Sequence, residues 1–182
     1  MYKNILSLAS SLRGGGAERK TINVSNELGK ENNVSVFILQ NKIDYNLSEL
    51  KNFELIIPKA QSKISLLLEL IRYIKATKPN IIISYTRITN IYLGLIKPFI
   101  SKKIRLIGFE PNLLNEIYSF SSLKKRVFLG LMQISYKKLD LLIYNSNDTK
   151  INIRKENISP IDEMIVHNPV LQNDFRSKKL NE

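Results

Sequence analysis

Residues 12–19 read Leu-Arg-Gly-Gly-Gly-Ala-Glu-Arg and join two segments of different periodicity. Residues 4–10, before them, form a short apolar run that ends in small residues, as buried strands do. Residues 17–30, after them, carry apolar side chains at helical spacing, and Gly29 lies near the end of that pattern. The stretch is therefore predicted to turn a strand into a helix. Glycines at such a turn bring backbone N–H groups at the helix N-terminus close to an anion or a sugar.

Two phosphate-binding motifs are excluded at this turn. A dinucleotide fingerprint needs a third glycine and an acidic residue at the end of the second strand, but Arg19 and Gln40 stand at these positions. A Walker A loop needs Gly-Lys followed by Ser or Thr, which the turn lacks. A purely structural alternative remains open, in which the glycines only allow a tight turn and bind no ligand.

Outward from this unit, strand-like and helix-like segments alternate along the chain. Continuous β-branched runs predict further strands at residues 34–40, 53–57, 81–84, 104–109, 141–145 and 163–167. Helical patterns lie at residues 62–78, 89–99, 121–138 and 148–156, and residues 110–120 are predicted to be irregular. In the first of these helices the apolar face is predicted to be Ile64, Leu67, Leu68, Ile71 and Ile74. The alternation predicts an α/β fold with a doubly wound, mostly parallel Rossmann-like sheet of about six or seven strands.

Composition limits the chemistry of the chain. Its 182 residues include no cysteine and one histidine, so a disulfide framework, a thiolate zinc site and a Ser-His-Asp triad have little or nothing to build on. No run of about 18 apolar residues occurs, and no spanning helix is expected. The 28 Lys and Arg against 16 Asp and Glu give a formal charge of +12, which favours contact with nucleic acid or an acidic leaflet. Compositional bias with a solvated basic surface explains the same excess.

Four segments carry a family resemblance in their order and spacing. They are the glycine turn with the helix that follows it, residues 79–84 (Pro-Asn-Ile-Ile-Ile-Ser), residues 140–146 (Asp-Leu-Leu-Ile-Tyr-Asn-Ser) and residues 163–170 (Glu-Met-Ile-Val-His-Asn-Pro-Val). Together they resemble the N-terminal, acceptor-side half of group 1 (family 4) glycosyltransferases of the GT-B fold. The co-linearity over residues 4–170, more than any single motif, carries this resemblance.

The resemblance implies a domain organisation. Residues 1–170 would form the acceptor-side domain, with a hinge at Asn168 and Pro169, and residues 171–182 would begin an interdomain linker or tail. In this family the nucleotide-sugar donor is held mainly by a C-terminal domain, which the 182 residues do not include. A chain cut at the domain boundary, a truncated gene and a split enzyme all fit, and in each case the chain alone is expected to be inactive because transfer needs donor and acceptor together.

The resemblance also implies substrates and site residues. Residues 84–90 and 110–112 resemble the subgroup that adds hexose-type sugars to lipid-linked glycans or cell-surface polysaccharide precursors such as lipopolysaccharide or capsule. Pro111 stands where relatives often have a histidine, which leaves Glu110 as the expected proton acceptor. No cofactor and no metal are expected, since the nucleotide-sugar is a co-substrate. The expected acceptor or phosphate contacts are Arg13, Gly14, Gly15, Gly16, Glu18, Arg19, Arg87, Thr89, Asn90 and Asn112.

A basic amphipathic segment predicts where the protein works. Residues 121–138 combine apolar side chains with five cations that are expected to contact an anionic membrane: Lys124, Lys125, Arg126, Lys137 and Lys138. A solvated basic face on an ordinary helix remains open. The predicted location is cytoplasmic, peripheral at the inner face of the cell membrane.

Two other functions remain as alternatives. One is a non-catalytic membrane-docking subunit of a split glycosyltransferase, which shares the fold without the activity. The other is a basic nucleic-acid-binding α/β module, although no RRM, KH or helix-turn-helix signature is present. The expected partners are a nucleotide-sugar donor, a lipid-linked glycan acceptor and an anionic membrane surface, and no nucleic acid.

Overall fold

Seven β-branched segments pair side by side in the computed structural model, which describes residues 2–167 apart from the side chains of Leu47 and Glu116. Every pair is parallel, and the strand order is β3-β2-β1-β4-β5-β6-β7. The strands are β1 (Asn4–Ala9), β2 (Asn33–Ile38), β3 (Glu54–Ile56), β4 (Ile81–Ser84), β5 (Arg105–Glu110), β6 (Leu141–Tyr144) and β7 (Glu163–Ile165). The predicted fold class, a parallel Rossmann-like sheet, is therefore confirmed.

Six helices connect these strands. They are α1 (Gly16–Leu28), α2 (Lys63–Thr77), α3 (Arg87–Ile96), α4 (Asn115–Tyr118), α5 (Ser122–Tyr136) and α6 (Asn147–Lys155), with 3₁₀ turns at Leu47–Glu49 and Lys97–Phe99. Hydroxyl side chains cap three of the helix N-termini, because Ser62, Thr86 and Ser146 each accept a bond from the backbone N–H three residues on. Within residues 2–167 no helix is long and apolar enough to cross a membrane.

Helices cover the two faces of the sheet unequally. The largest core cluster joins strand residues such as Leu6 and Leu106 to residues of α2, α3, α5 and α6, including Leu70 and Met132. Ile22 of α1 packs in a separate cluster with Ala9, on the other face, because side chains alternate along a strand. The sheet is thus doubly wound, as predicted, and among residues 2–167 α1 is the helix that covers its side of β1 and β2.

The direction of winding reverses between β1 and β4. The chain leaves β1 toward β2 on one side and leaves β4 toward β5 on the other, so the crevice at their carboxyl ends is a topological switch point, where open α/β sheets bind ligands. Residues 14–16 follow β1 at this edge, as predicted, and Thr86 follows β4. The hydroxyls of Ser10 and Thr86, 2.8 Å apart, join the two chain segments.

Some local predictions were wrong. Helix α3 begins at Arg87 and not at Thr89, because Thr86 caps it and Thr89 supplies the reciprocal bond of a capping box. The buried face of α2 is Leu66, Leu70 and Ile74, whereas Ile64 and Leu68 are exposed. Apolar residues occur on more than one face of this helix. The face that packs against the core is not the one that the sequence pattern indicated. The segment from residue 111 to 120 is irregular as predicted, apart from the single turn of α4, whereas Glu110, predicted to begin that segment, is the last residue of β5.

Helices α3 and α5 approach each other closely at Gly94. A Cβ atom at this position would overlap the backbone of Ser135 on α5, whereas a Cβ at Gly130 would meet no heavy atom within 4 Å. The missing side chain of Gly94 therefore sets the distance between the two helices that carry Arg87 and Tyr136, two residues important below.

We expect Gly94→Ala to lower the free energy of unfolding by about 1–3 kcal/mol, the usual cost of overpacking a core. Gly130→Ala is the matched control on the facing helix, and we expect it to raise stability by about 0.5–1 kcal/mol because it removes a helix-interior glycine without a clash. Urea unfolding followed by circular dichroism measures both. Equal stability of the two variants would contradict the close approach of α3 and α5.

Candidate functional site

A buried ion pair lies at the carboxyl edge of the sheet. Glu110 is the last residue of β5 and is fully buried, and Arg87 begins α3 with a side chain that is 11% exposed. The Nε and Nη2 groups of Arg87 donate to Glu110 Oε1 at 3.1 and 2.7 Å. Because removing either charge would leave the other buried and unpaired, the two residues depend on each other.

Three polar side chains complete the cluster beneath this pair. The Tyr136 hydroxyl, at the end of α5, donates to Glu110 Oε2 at 2.5 Å. The Asn90 amide donates to that hydroxyl oxygen at 3.2 Å and to the Phe109 carbonyl at 2.9 Å, and its Oδ1 accepts from Ser84 at 2.5 Å. These bonds tie β4, α3, β5 and α5 together, and every buried polar atom of the cluster has a partner.

The environment of this cluster shifts two pKa values. Burial raises the pKa of the Glu110 carboxyl above its ordinary range, while the Arg87 guanidinium and the Tyr136 hydroxyl oppose that rise. Burial, with the Glu110 charge beside it, raises the pKa of Tyr136 as well. Tyr136 is therefore neutral and keeps the proton that it donates to Glu110.

The ion pair also holds the loop that follows β5. Arg87 Nη2 donates to the carbonyl oxygens of Asn112 and Leu113 at 2.9 and 3.2 Å. Two asparagines hold the same loop from the other side, since Asn145 donates to the Pro111 carbonyl and Asn152 Oδ1 accepts from Leu114 N at 2.7 Å. Residues 111–114, called the edge loop below, are thus fixed against the carboxyl ends of β5 and β6.

The glycine turn faces the same edge from the β1 side. Gly14 and Gly16 are exposed, and a Cβ at either would meet no heavy atom within 4 Å. Gly15 caps α1 without a side-chain hydrogen bond, so the first N–H groups of α1 point to the edge with no capping side chain. Arg13 is exposed beside them, and Glu18 folds back over Gly15. The turn is open enough for a ligand to approach its backbone closely.

Arg19 points away from this opening. Its guanidinium pairs with Glu49 at 2.5 Å and lies 4.8 Å from the ring centroid of Tyr45. The Tyr45 hydroxyl in turn donates to the Gly15 carbonyl at 3.3 Å. Arg19 therefore supports the segment beside the turn, and the structure does not place it for the phosphate contact that the sequence suggested.

Three further expectations are corrected by burial. Thr89 and Asn90 are fully buried in the α3 cap and the polar cluster, so neither offers a group to a ligand at the edge. Both oxygens of Glu110 are occupied by Arg87 and Tyr136, so the carboxylate does not face the opening as a proton acceptor would. Asn112 is exposed on the edge loop. The hinge residues Asn168 and Pro169 lie outside the described residues.

Sequence reasoning missed several residues of this edge. Tyr136 lies within the predicted basic helix and Asn145 ends a predicted strand. Neither was singled out, because their hydrogen-bond partners are remote in sequence. Lys20 is half-buried with its ammonium 5.0 Å from the ring centroid of Phe109, and only the three-dimensional packing of α1 on the sheet reveals that. Among residues 2–167, no three His, Asp or Glu side chains come together as a metal site would require.

Comparison with known proteins defines the class to which this geometry corresponds. No family model matches the sequence. Solved structures share its fold: HepE from Anabaena in complex with UDP-glucose (TM-score 0.71, 16% identity, 93% of this chain and 44% of that one) and the lipopolysaccharide outer core galactosyltransferase WaaB (0.65, 17%, 92% and 46%). Sucrose-phosphate synthase from Thermosynechococcus elongatus also matches, with a TM-score of 0.68 and 12% identity over 92% of this chain and 48% of that one. The chain thus has the fold of one half of a GT-B glycosyltransferase.

One curated relative is similar in sequence as well. It is the GalNAc-alpha-(1->4)-GalNAc-alpha-(1->3)-diNAcBac-PP-undecaprenol alpha-1,4-N-acetyl-D-galactosaminyltransferase of Campylobacter jejuni. The two sequences are 28% identical in an alignment of 153 residues that covers 79% of this chain and 40% of that protein. The predicted resemblance to GT-B glycosyltransferases is confirmed by these likenesses. The chain spans less than half the length of this relative and of the three structures above.

We expect Glu110→Gln to lower the free energy of unfolding by about 3–5 kcal/mol, because Arg87 would remain buried without its counter-charge. The edge loop should also lose protection against amide hydrogen exchange, since Arg87 would no longer be held beneath its carbonyl groups. Urea unfolding and exchange measured by mass spectrometry report the two effects. Glu31→Gln is the control, an exposed carboxylate with no side-chain partner among the described residues. Loss of stability without loosening of the edge loop would contradict the role given to Arg87.

Proposed function

We propose that this chain is the acceptor-side half of a glycosyltransferase that moves a hexose-type sugar from a nucleotide-sugar to a lipid-linked glycan. The sequence likeness to a transferase whose acceptor is a PP-undecaprenol glycan carries the proposal, because it extends over 79% of the chain. The fold supports it independently, since HepE binds UDP-glucose and WaaB is a galactosyltransferase.

The geometry of the carboxyl edge suits an acceptor. The open glycine turn lies on one side of the crevice and the fixed edge loop on the other, with the Arg87–Glu110 pair between β4 and β5 below them. Backbone N–H groups of the turn and the exposed Asn112 are hydrogen-bonding groups that a glycan or a diphosphate needs. Arg13 adds an exposed cation at the same place.

Arg87 and Glu110 then serve the reaction by positioning. The pair keeps the edge loop in one conformation, so that acceptor-binding groups are in place before the acceptor arrives. The nucleotide-sugar would be held mainly by a second domain facing this edge, as the resemblance implies, and transfer would take place between the two.

We expect the 182-residue chain alone to transfer no sugar, and transfer to appear when a donor-binding polypeptide is supplied. A donor-binding domain would bring donor and acceptor together, which transfer requires. The measurement is transfer of a radiolabelled sugar from nucleotide-sugars to lipid extracts, with and without the second polypeptide. Sustained turnover by the chain alone would contradict the assignment of donor binding to another domain.

Helix α5 carries the proposed membrane contact. Its buried face is Leu129, Met132 and Tyr136, while Leu123, Val127 and Ile134 form an outer stripe with exposures of 73, 56 and 55%. Apolar side chains exposed in a row at helical spacing, flanked by cations, are typical of helices that lie in a membrane interface.

The five predicted cations lie at the two ends of this stripe. Lys124, Lys125 and Arg126 stand in the first turn of α5, and Lys137 and Lys138 follow its last residue, about 20 Å away at 1.5 Å per residue. Two of them rest on aromatic rings, Lys124 at 4.0 Å from Phe120 and Lys125 at 4.5 Å from Tyr118. A helix lying flat on a bilayer would place the stripe in the interface with Lys124, Arg126, Lys137 and Lys138 near the headgroups, whereas Lys125 shares the helix face of the buried Leu129, Met132 and Tyr136. The inner face of the cell membrane, rich in anionic lipid, is the proposed location.

We expect the chain to co-sediment with vesicles containing anionic phosphatidylglycerol and to bind less as salt rises, because each cation contributes about 1 kcal/mol near a charged surface. Replacing Leu123, Val127 and Ile134 by Ser should weaken the salt-resistant part of binding, and replacing the five cations by Glu should abolish the rest.

The matched control replaces Lys30, Lys42, Lys51, Lys59 and Lys63 by Glu, which changes the net charge equally at exposed sites away from α5. If both charge variants lose binding to the same extent, the net charge and not α5 is responsible. No binding of the wild type at low salt would exclude the membrane contact while leaving the transferase proposal intact.

A further inference from the structure

Lys20 is a cation at the carboxyl edge that no acidic side chain neutralises. It lies four residues after the first residue of α1, and its ammonium is 5.0 Å from the ring centroid of Phe109. No hydrogen bond or ion pair joins its side chain to any other residue that the structure describes. Among the ion-paired cations, by contrast, Arg19 and Arg87 have Glu49 and Glu110.

The surface beneath Lys20 is rigid. Phe109 is the penultimate residue of β5, and its ring stacks on that of Tyr85, with centroids 5.4 Å apart and an interplanar angle of 4°. Tyr85 follows β4, is fully buried, and is held through its hydroxyl by Ser7 at 3.3 Å. The ammonium of Lys20 is therefore held at the ends of β4 and β5, beside the topological switch point, by a stacked pair of rings.

Partial burial leaves the Lys20 charge incompletely solvated. Burial lowers the pKa of Lys20 below its ordinary value, and no neighbouring carboxylate opposes this change. An anion bound against the ammonium would supply the missing interaction. The N-terminus of α1, one turn earlier, already has the Glu18 carboxylate folded back over Gly15, so Lys20 is a positive group beside this turn that lacks a negative partner among the described residues.

We propose that Lys20 binds a phosphate group of a substrate at the carboxyl edge of the sheet. This inference rests on the proposed function, which brings two diphosphates to this edge, one in the nucleotide-sugar and one in the lipid-linked acceptor. Lys20 adds a point charge on the α1 side of the crevice, opposite the edge loop.

The test uses the 182-residue chain with lysine labelled in ¹³C and ¹⁵N, observed by NMR. Loss of one signal in Lys20→Met assigns the Lys20 side chain. Inorganic diphosphate, UDP and geranyl diphosphate are the three probes, and Lys75→Met, at an exposed lysine near the other end of the sheet, is the matched control.

We expect diphosphate to shift the Lys20 side-chain signal and Lys20→Met to weaken its binding by about tenfold, since a bond to a charged group contributes at least that factor. Lys75→Met should bind like the wild type, and K20R, which keeps the charge, should retain most of the affinity. Tighter binding of UDP would assign Lys20 to the donor diphosphate, and tighter binding of geranyl diphosphate would assign it to the acceptor.

An unmoved Lys20 signal with all three probes, or equal affinity of Lys20→Met and the wild type, would overturn the inference. Either result would leave the proposed function standing if sugar transfer is found with a donor domain. Diphosphate binding through Lys20, with no sugar transfer even when a donor-binding polypeptide is supplied, would instead support this site and contradict the proposed transferase function.

Discussion

The Arg87–Glu110 ion pair is the interaction on which the carboxyl edge of this protein depends. A carboxylate at the end of a central parallel strand is surrounded by backbone and helices, so it loses nearly all of its water. Its charge is retained only because Arg87 reaches it from α3 and Tyr136 from α5. The same guanidinium also donates to two carbonyl groups of the edge loop, so the pair that neutralises the buried charge also fixes the conformation of this loop.

Helix α5 connects this buried pair to the outer surface of the protein. Its last residue, Tyr136, donates to Glu110, while the opposite face of the helix exposes an apolar stripe between two groups of cations. The close approach at Gly94 holds α5 against α3, so the helix cannot shift without disturbing Tyr136 and Arg87 together. A lipid-linked acceptor would meet both sides of this arrangement, with its lipid at the stripe and its glycan at the edge loop.

Sequence periodicity was sufficient for the layout of the fold because strands of a parallel sheet are buried on both faces and read as continuous apolar runs. The positions of the glycine turn and of β4 followed from that layout, and so did the edge at which ligands should bind. The burial and the hydrogen-bond partners of the polar side chains at that edge did not follow from the layout of the fold. Glu110, Thr89 and Asn90 were expected to face a ligand. Glu110 and Asn90 are held by Tyr136 and Phe109, which no local pattern links to them, whereas Thr89 bonds to the nearby Thr86 in the capping box of α3.

Lys20 is the opposite case, a residue that was not expected at the carboxyl edge but lies there. In the sequence it is one lysine among many on a helix surface, and only its packing over Phe109 distinguishes it. On α5 the two groups of cations were predicted from the sequence, whereas the exposure of Leu123, Val127 and Ile134 depends on how the helix packs against the rest of the protein. Residues whose roles depend on a single helix or strand were thus predictable, and those that depend on two elements were not.

The most direct measurement maps where an acceptor binds. Backbone amide NMR of the ¹⁵N-labelled chain, titrated with a short-chain polyprenyl diphosphate disaccharide, reports every residue that the ligand approaches. The account predicts shifts concentrated at residues 13–20 and 111–114, with the opposite edge of the sheet, around Asn33 and Asn80, unchanged. Shifts confined to that opposite edge, or none at saturating ligand, would contradict an acceptor site at the carboxyl ends of β1, β4 and β5.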